Sequence, residues 1–317
     1  MRSKPLPQSE HFTYHELAKG VWAAIVIPTG LAASNSGIVD LGERTLVFDT
    51  TLSPASATEL RNVAESLTGR PVTYVLNSHW HQDHVFGNVV FAPETEIYAT
   101  ARTSEIIAEK IPTIMVEFKK HWPNQLKEWA ESAKVAKDEA ERLDYEDGVR
   151  FAQSIIDTFL QLELRLPDRA TTDRLEFKGT KRTVEFITYG GGHTDSDAFL
   201  YLPAERIIFT GDLLEIKNHP GMSSSHPCEW LDILAKIKVL DPVCLVPGHG
   251  ELGTVADVIL IERYINDLLQ MAEQNLREGG TAESTGALQP PGFTEGWNNI
   301  EGFELSMKFL HKEIQLK

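Results

Sequence analysis

Cysteine, positive charge and long apolar runs are all scarce in this 317-residue chain. Its two cysteines, Cys228 and Cys244, cannot make a disulfide scaffold, and Cys244 sits in the apolar run Val243-Cys244-Leu245-Val246, which reads as core. Basic residues number 30 against 46 acidic ones, a formal charge of −16. A surface of that sign repels phosphate backbones and anionic membranes, which argues against a nucleic acid partner. No window has the apolar length needed to cross a bilayer. The start, MRSKPLPQSEHF, has no apolar stretch after its positive charges and does not read as a secretory signal. A cytoplasmic protein without membrane association is the expectation. What is present, 42% hydrophobic and 24% charged residues, is the balance of an ordinary globular protein.

Val21 to Ile27, Gly37 to Leu41 and Thr45 to Asp49 read as strands of an antiparallel meander. Ser53-Pro54 opens a helix, with serine at the N-cap, proline at the first helical position and Leu60, Val63, Ala64 and Leu67 at helical spacing; Gly69 closes it. Val72 to Leu76 is a buried-type strand. In the second half, Arg182 to Thr188, Ala198 to Leu202, Ile207 to Thr210 and Val243 to Val246 read as strands, with an amphipathic helix over Glu229 to Leu240. Two such halves predict an α/β fold, a four-layer helix–sheet–sheet–helix sandwich. Between them, over about 103–170, strand formers give way to Ala, Glu, Lys and Leu, which predicts a helical insertion. Packing or a homo-oligomer contact is its plainer use and a substrate lid the alternative. Val255 to Arg277 predicts a long helix and Ile300 to Leu316 a last one. The chain is therefore read as a single domain over 1–317, with the insertion and a C-terminal helical extension over about 255–317.

The decisive segment is Asn77-Ser78-His79-Trp80-His81-Gln82-Asp83-His84, immediately after a buried strand. Imidazole and carboxylate suit a borderline metal such as Zn²⁺. Alternation sends His79 and His81 to one side, where they can share an ion; Asp83 and His84 follow the turn and can reach a second. Four residues cannot complete two sites, and further donors stand at other strand ends. His193 follows three glycines that let the backbone approach closely, Asp212 follows Ile207-Ile208-Phe209-Thr210-Gly211, and His249 follows Val246-Pro247-Gly248.

These motifs, His79-Trp80-His81-Gln82-Asp83-His84, Gly192-His193-Thr194, Thr210-Gly211-Asp212 and Pro247-Gly248-His249-Gly250, resemble the metallo-β-lactamase superfamily over about residues 12–102 and 175–270. The resemblance implies an αββα fold with its site at one edge between two sheets. It implies that His79, His81 and His193 bind one metal, that Asp83, His84 and His249 bind the other, and that Asp212 bridges both. Asp49, matching the family's early strand-end aspartate, would orient a ligand histidine or the loop.

The activity implied is that of a binuclear hydrolase that uses a metal-bridging hydroxide, with Asp83 orienting it and taking its proton. Two metal ions are expected, Zn²⁺ first, with Fe or Mn as alternatives. Antibiotic-degrading members with a cysteine ligand place that cysteine where this chain has Asp212. A bridging aspartate resembles instead the hydrolases of thioesters, lactones, phosphodiesters and sulfate esters; the nuclease branch fits poorly with the acidic charge, which leaves small-molecule substrates. The stretch Gly190 to Asp212 is similar to members allied to sulfur-oxidation and quinoprotein-associated metallohydrolases, although Asp195-Ser196 stands where many of them have Pro-Gly. The loop from Leu213 to Cys228 supplies Lys217, His219 and His226 as candidates for a substrate pocket. The rival readings are an iron-dependent redox enzyme of the same fold, such as a persulfide dioxygenase, and β-lactam hydrolysis as a side activity.

Overall fold

A computed structural model describes residues 6–28, 30–159 and 162–316. The basic start at 1–5 and positions 160 and 161 of the expected insertion lie outside the described residues. The chain forms two compact units, Met1–Ala170 and Thr171–Lys317.

The first unit is built on one sheet. Strands β1 (Phe12–Ala18), β2 (Val21–Val26), β3 (Ser36–Asp40) and β4 (Thr45–Phe48) form the antiparallel meander. Helix α1 (Pro54–Thr68) then crosses to β5 (Val72–Leu76), which runs parallel to β4, and β6 (Glu96–Thr100) runs parallel to β5. The caps of α1 are the expected ones: the Ser53 side chain accepts from the Ser56 amide, Pro54 opens the helix, and Gly69 closes it at φ 76°. Its apolar face, Leu60, Val63 and Ala64, packs against Ile38, Val47, Val75 and Ile97 of the sheet. Between β5 and β6 the chain makes the short helix α2 (Gln82–Val85) and a 3₁₀ turn over Phe86–Val90.

The insertion is a pair of helices, α3 (Ala101–Lys134) and α4 (Glu139–Phe159), and it returns to the sheet at β7 (Arg169–Thr171), where the boundary between units falls. Helix α3 runs through Pro112 and Pro123. Both are exposed, so water can reach the carbonyls that lose an amide partner. Ile106, Ile107, Ile111 and Met115 of α3 and Ile155 of α4 form a core with Leu52, Trp80 and Phe86. Trp122 joins this cluster, with its ring centroid 5.4 Å from both Phe118 and Phe151. Trp129 packs on Gly148, where a β-carbon would lie 2.7 Å from its ring. Both insertion tryptophans therefore contribute to packing.

The second unit holds β8 (Arg174–Lys178), β9 (Thr183–Gly190), β10 (Asp197–Leu202), β11 (Ile207–Glu215) and β12 (Cys244–His249), in the order β12-β11-β10-β9-β8. Helix α5 (Pro227–Val239) crosses from β11 to β12, which is parallel to it. Helices α6 (Val255–Arg277) and α7 (Ile300–Gln315) complete the unit, and Trp230, Tyr264 and Phe303 from the three helices share one core with Phe199, Ile208 and Leu245 of the strands.

Strand β11 is longer than its sequence indicates. The sequence reading ends it at Thr210, but Gly211 takes φ 53° and shifts the β11–β12 register, and the strand continues to Glu215. Asp212 thus lies within the strand rather than after it. Among the described residues, no helix is long and apolar enough to cross a membrane.

Candidate functional site

In the first unit, the parallel pairing of β4 and β5 brings their C-terminal ends side by side, with Phe48 opposite Leu76. Asp49 and Ser78 therefore meet just beyond the sheet. Asp49, at φ 58°, is fully buried and accepts three hydrogen bonds. Its Oδ1 accepts from the Ser78 amide at 2.7 Å, and its Oδ2 accepts from Ser78 Oγ and from His84 Nδ1, both at 2.8 Å. Since the Ser78 hydroxyl proton goes to Asp49, Ser78 Oγ accepts in turn from His79 Nδ1 at 2.9 Å. One carboxylate thus fixes the tautomer of two imidazoles and leaves Nε2 of each as the lone-pair donor. Burial pushes the Asp49 carboxyl above its ordinary range, while the charge and hydrogen bond of His84 and the bonds from Ser78 pull it down.

The rings converge. His79 lies 4.7 Å from His81 and 4.2 Å from His84 between centroids, and His84 Nε2 is 3.5 Å from Asp83 Oδ2. Asp83 stands in the first turn of α2 with its side chain 21% exposed, so it can meet solvent while His79 and His84 cannot. The loop itself is tied down at the His84 carbonyl, which accepts from the Thr50 amide at 2.9 Å, Thr50 Oγ1 at 3.1 Å and Asn77 Nδ2 at 3.2 Å. Asn77 and Asn88 exchange side-chain amide bonds beside it. Gly87 allows this closeness, because a β-carbon there would lie 1.9 Å from the Thr50 carbonyl oxygen.

In the second unit the parallel pair β11 and β12 does the same work. The bulge at Gly211 places Asp212 beside the end of β12, and Asp212 Oδ2 lies 3.4 Å from His249 Nε2 and 3.4 Å from His193 Nε2. Gly248 leaves room for that carboxylate, since a β-carbon there would be 1.8 Å from Asp212 Oδ1. The turn carrying His193 is held by Asp197. Its Oδ2 accepts from the amides of Gly192 at 2.8 Å and Thr194 at 2.9 Å, and its Oδ1 accepts from Thr194 Oγ1 at 3.0 Å. Burial pushes the Asp197 carboxyl up to about 7, against the pull of these donors.

The three pocket candidates part ways. His226 is exposed at the N-cap of α5, and its amide donates to the Gly192 carbonyl at 2.8 Å, which puts it against the His193 turn. Lys217 is exposed and in the left-handed region, next to Ile216, whose amide bonds the His249 carbonyl. His219 is buried instead: its Nδ1 lies 2.9 Å from Tyr264 Oη, and its ring packs on Trp297 and Phe303. That side chain belongs to the helical core and not to a pocket wall. Ser78, Asp197 and the Asn77–Asn88 pair carry no functional signal in the sequence. Only proximity in the fold gives them their roles, although Asp197 stands four positions after His193.

Each unit therefore presents a cluster of imidazole and carboxylate donors with histidine tautomers or orientations already set, and that donor chemistry fits a metal ion. Comparison with known proteins agrees. Residues 29–249 match the profile of the metallo-beta-lactamase superfamily. The metallo-beta-lactamase type 2 of Bacteroides fragilis is 21% identical over 281 residues, covering 85% of this chain and 92% of its own. Among solved structures, the metallo-beta-lactamase from Pontibacter korlensis superposes with a TM-score of 0.59 at 17% identity, covering 80% of this chain and 99% of its own. The metallo-beta-lactamase FIM-1 from Pseudomonas aeruginosa, in its mono-zinc form, gives 0.56 at 14%, covering 83% and 98%. At these identities the structural likeness is one of fold, the α/β αββα sandwich. With the profile spanning every histidine motif on both units, the chain belongs to the metallo-β-lactamase superfamily of metallohydrolases.

Proposed function

We propose that His79, His81, Asp83, His84, His193, Asp212 and His249 together hold two metal ions, Zn²⁺ by the character of the donors, and that the enzyme hydrolyses an ester-like bond in a small molecule. Thioesters, lactones and sulfate esters are the substrate classes. His79, His81 and His193 serve one ion and Asp83, His84 and His249 the other. The observation that supports this reading is the single Asp212 oxygen standing 3.4 Å from both His193 Nε2 and His249 Nε2, so that this carboxylate would be within reach of an ion held by either imidazole.

Divalent ions held there would supply Lewis acidity, lowering the pKa of water towards neutrality and polarising the scissile bond. The chain's own residues do the rest. Asp49 holds the proton on His84 Nδ1 and, through Ser78, on His79 Nδ1, so that both Nε2 atoms stay basic. Asp83, partly exposed beside His84, orients the attacking water and takes up its proton on a carboxylate oxygen. A neutral amide cannot do this, so full activity of Asp83→Asn with its metals bound would remove that role.

Elemental analysis of the purified protein tests the core claim, with two equivalents of zinc expected and one or fewer in Asp212→Ala. A panel of thioester, lactone, aryl sulfate and phosphodiester substrates, with nitrocefin included because the relatives are named metallo-beta-lactamases, then identifies the bond. One equivalent of iron with consumption of oxygen would overturn the hydrolytic reading in favour of a redox enzyme on the same fold.

A further inference from the structure

The position between the first two histidines of the cluster is occupied by Trp80. It is 8% exposed and belongs to the apolar cluster in which Ile106, Ile107 and Ile111 of the inserted helix α3 pack. On one side Lys110, also from α3, places Nζ 4.8 Å from the indole centroid. On another side the indole meets the His81 ring at 4.4 Å and 74°, an edge-to-face contact, and His81 in turn meets His79 at 4.7 Å and 78°. A continuous chain of ring contacts therefore runs from the insertion to the imidazoles.

The indole N–H is buried without a hydrogen-bond partner among the described residues. Space-filling alone would be met by a phenylalanine or leucine with no buried donor to desolvate. What tryptophan adds is a broader ring, large enough to be gripped by α3 and to hold an imidazole at its edge at the same time.

We propose that Trp80 is a positioning residue through which the inserted helix α3 fixes the orientation of the His81 imidazole, so that the insertion is a structural part of the metal-binding apparatus. The proposal rests on the reading of His79 and His81 as metal ligands. His79 and His84 donate hydrogen bonds to Ser78 and Asp49 respectively, while the His81 ring also rests against an aromatic side chain that packs with the insertion. The insertion helices then set metal affinity without supplying a donor.

The test uses the full-length protein stripped of metal and four variants: Trp80→Ala, Trp80→Phe, Ile107→Ala and His81→Ala. Zinc affinity is measured by competition with a chromophoric chelator, the coordination geometry is read from the visible absorption of the cobalt-substituted protein, and circular dichroism reports folding. Trp80→Ala is expected to fold and to bind zinc about 10–100-fold more weakly with altered cobalt bands, the scale typical of losing a group that orients a ligand. Trp80→Phe, which keeps an aromatic ring but not its breadth, should recover only part of the affinity, and Ile107→Ala should shift affinity and cobalt bands in the same direction as Trp80→Ala by less. A folded Trp80→Ala with wild-type affinity and an unchanged cobalt spectrum overturns the proposal. If Trp80→Ala does not fold, unchanged affinity and cobalt bands in Ile107→Ala overturn it. His81→Ala separates the two levels. If it keeps full zinc affinity, the ligand reading fails; if it loses zinc while Trp80→Ala does not, only the positioning role fails.

Discussion

Asp49 Oδ2 stands 2.8 Å from His84 Nδ1, with both side chains almost wholly inaccessible to solvent. The same carboxylate also takes two hydrogen bonds from Ser78. Asn at this position fits the volume and tolerates the positive φ, but it offers one acceptor oxygen where three donors converge. Asp49→Asn is expected to lower zinc affinity about 10–100-fold. It should also destabilise the metal-free protein by about 1–3 kcal/mol through an unsatisfied buried donor. Isothermal titration with zinc and urea unfolding measure the two effects.

Gly248 is where the backbone of β12 passes the Asp212 carboxylate most closely. Gly248→Ala should displace Asp212 and remove at least one equivalent of bound zinc. Gly221, in the same unit, has open space where a β-carbon would stand, with no atom within 4 Å, so Gly221→Ala should leave metal content unchanged. Metal analysis of the two variants side by side checks the contrast.

His219 contributes a pH dependence whose sign follows from its burial, which lowers its pKa below the ordinary histidine value. The unfolded chain takes up this proton near pH 6.5 and the native protein only at lower pH. The stability is therefore fully present above about pH 6.5 and is lost progressively as pH falls towards the folded pKa. Thermal unfolding of the metal-free protein between about pH 7.5 and 5.5 should show a slope that is shallower in His219→Phe.

Arg165 ties the end of the insertion to the β6 side of its sheet. Its guanidinium donates to the carbonyls of Phe91, Ala92 and Thr95 at 2.7, 2.9 and 2.7 Å. A lysine cannot span three acceptors, so Arg165→Lys should cost about 1–2 kcal/mol in urea unfolding and leave zinc affinity unchanged.

The parts of this fold that local chemistry dictates are legible in the sequence. Helix α1 declares itself through Ser53, Pro54 and Gly69, and β5 through a run of strand formers, Val72 to Leu76, just ahead of the histidines. The strands β1, β6, β7 and β8 are not legible there. They are short or mix charged residues into exposed positions, and pairing within the sheet, rather than local composition, is what makes them strands. The strand formers of β11 stop at Thr210, yet the freedom of Gly211 at positive φ makes a bulge through which the strand continues. His219 reads as a pocket residue because its loop follows Asp212, whereas Tyr264, Trp297 and Phe303, all distant in sequence, bury it. Asp197 gives no signal for a related reason: its three donors belong to a turn whose shape no spacing rule reveals.

The three hydrogen bonds converging on the His84 carbonyl, with Gly87 letting the backbone close over Thr50, bear on how quickly an ion can be captured. The conformational entropy of this loop is surrendered when the polypeptide folds, so none of it is left to be lost when a cation arrives. Uptake should then proceed with little backbone rearrangement, limited by shedding of the ion's hydration waters and by release of protons from the donors.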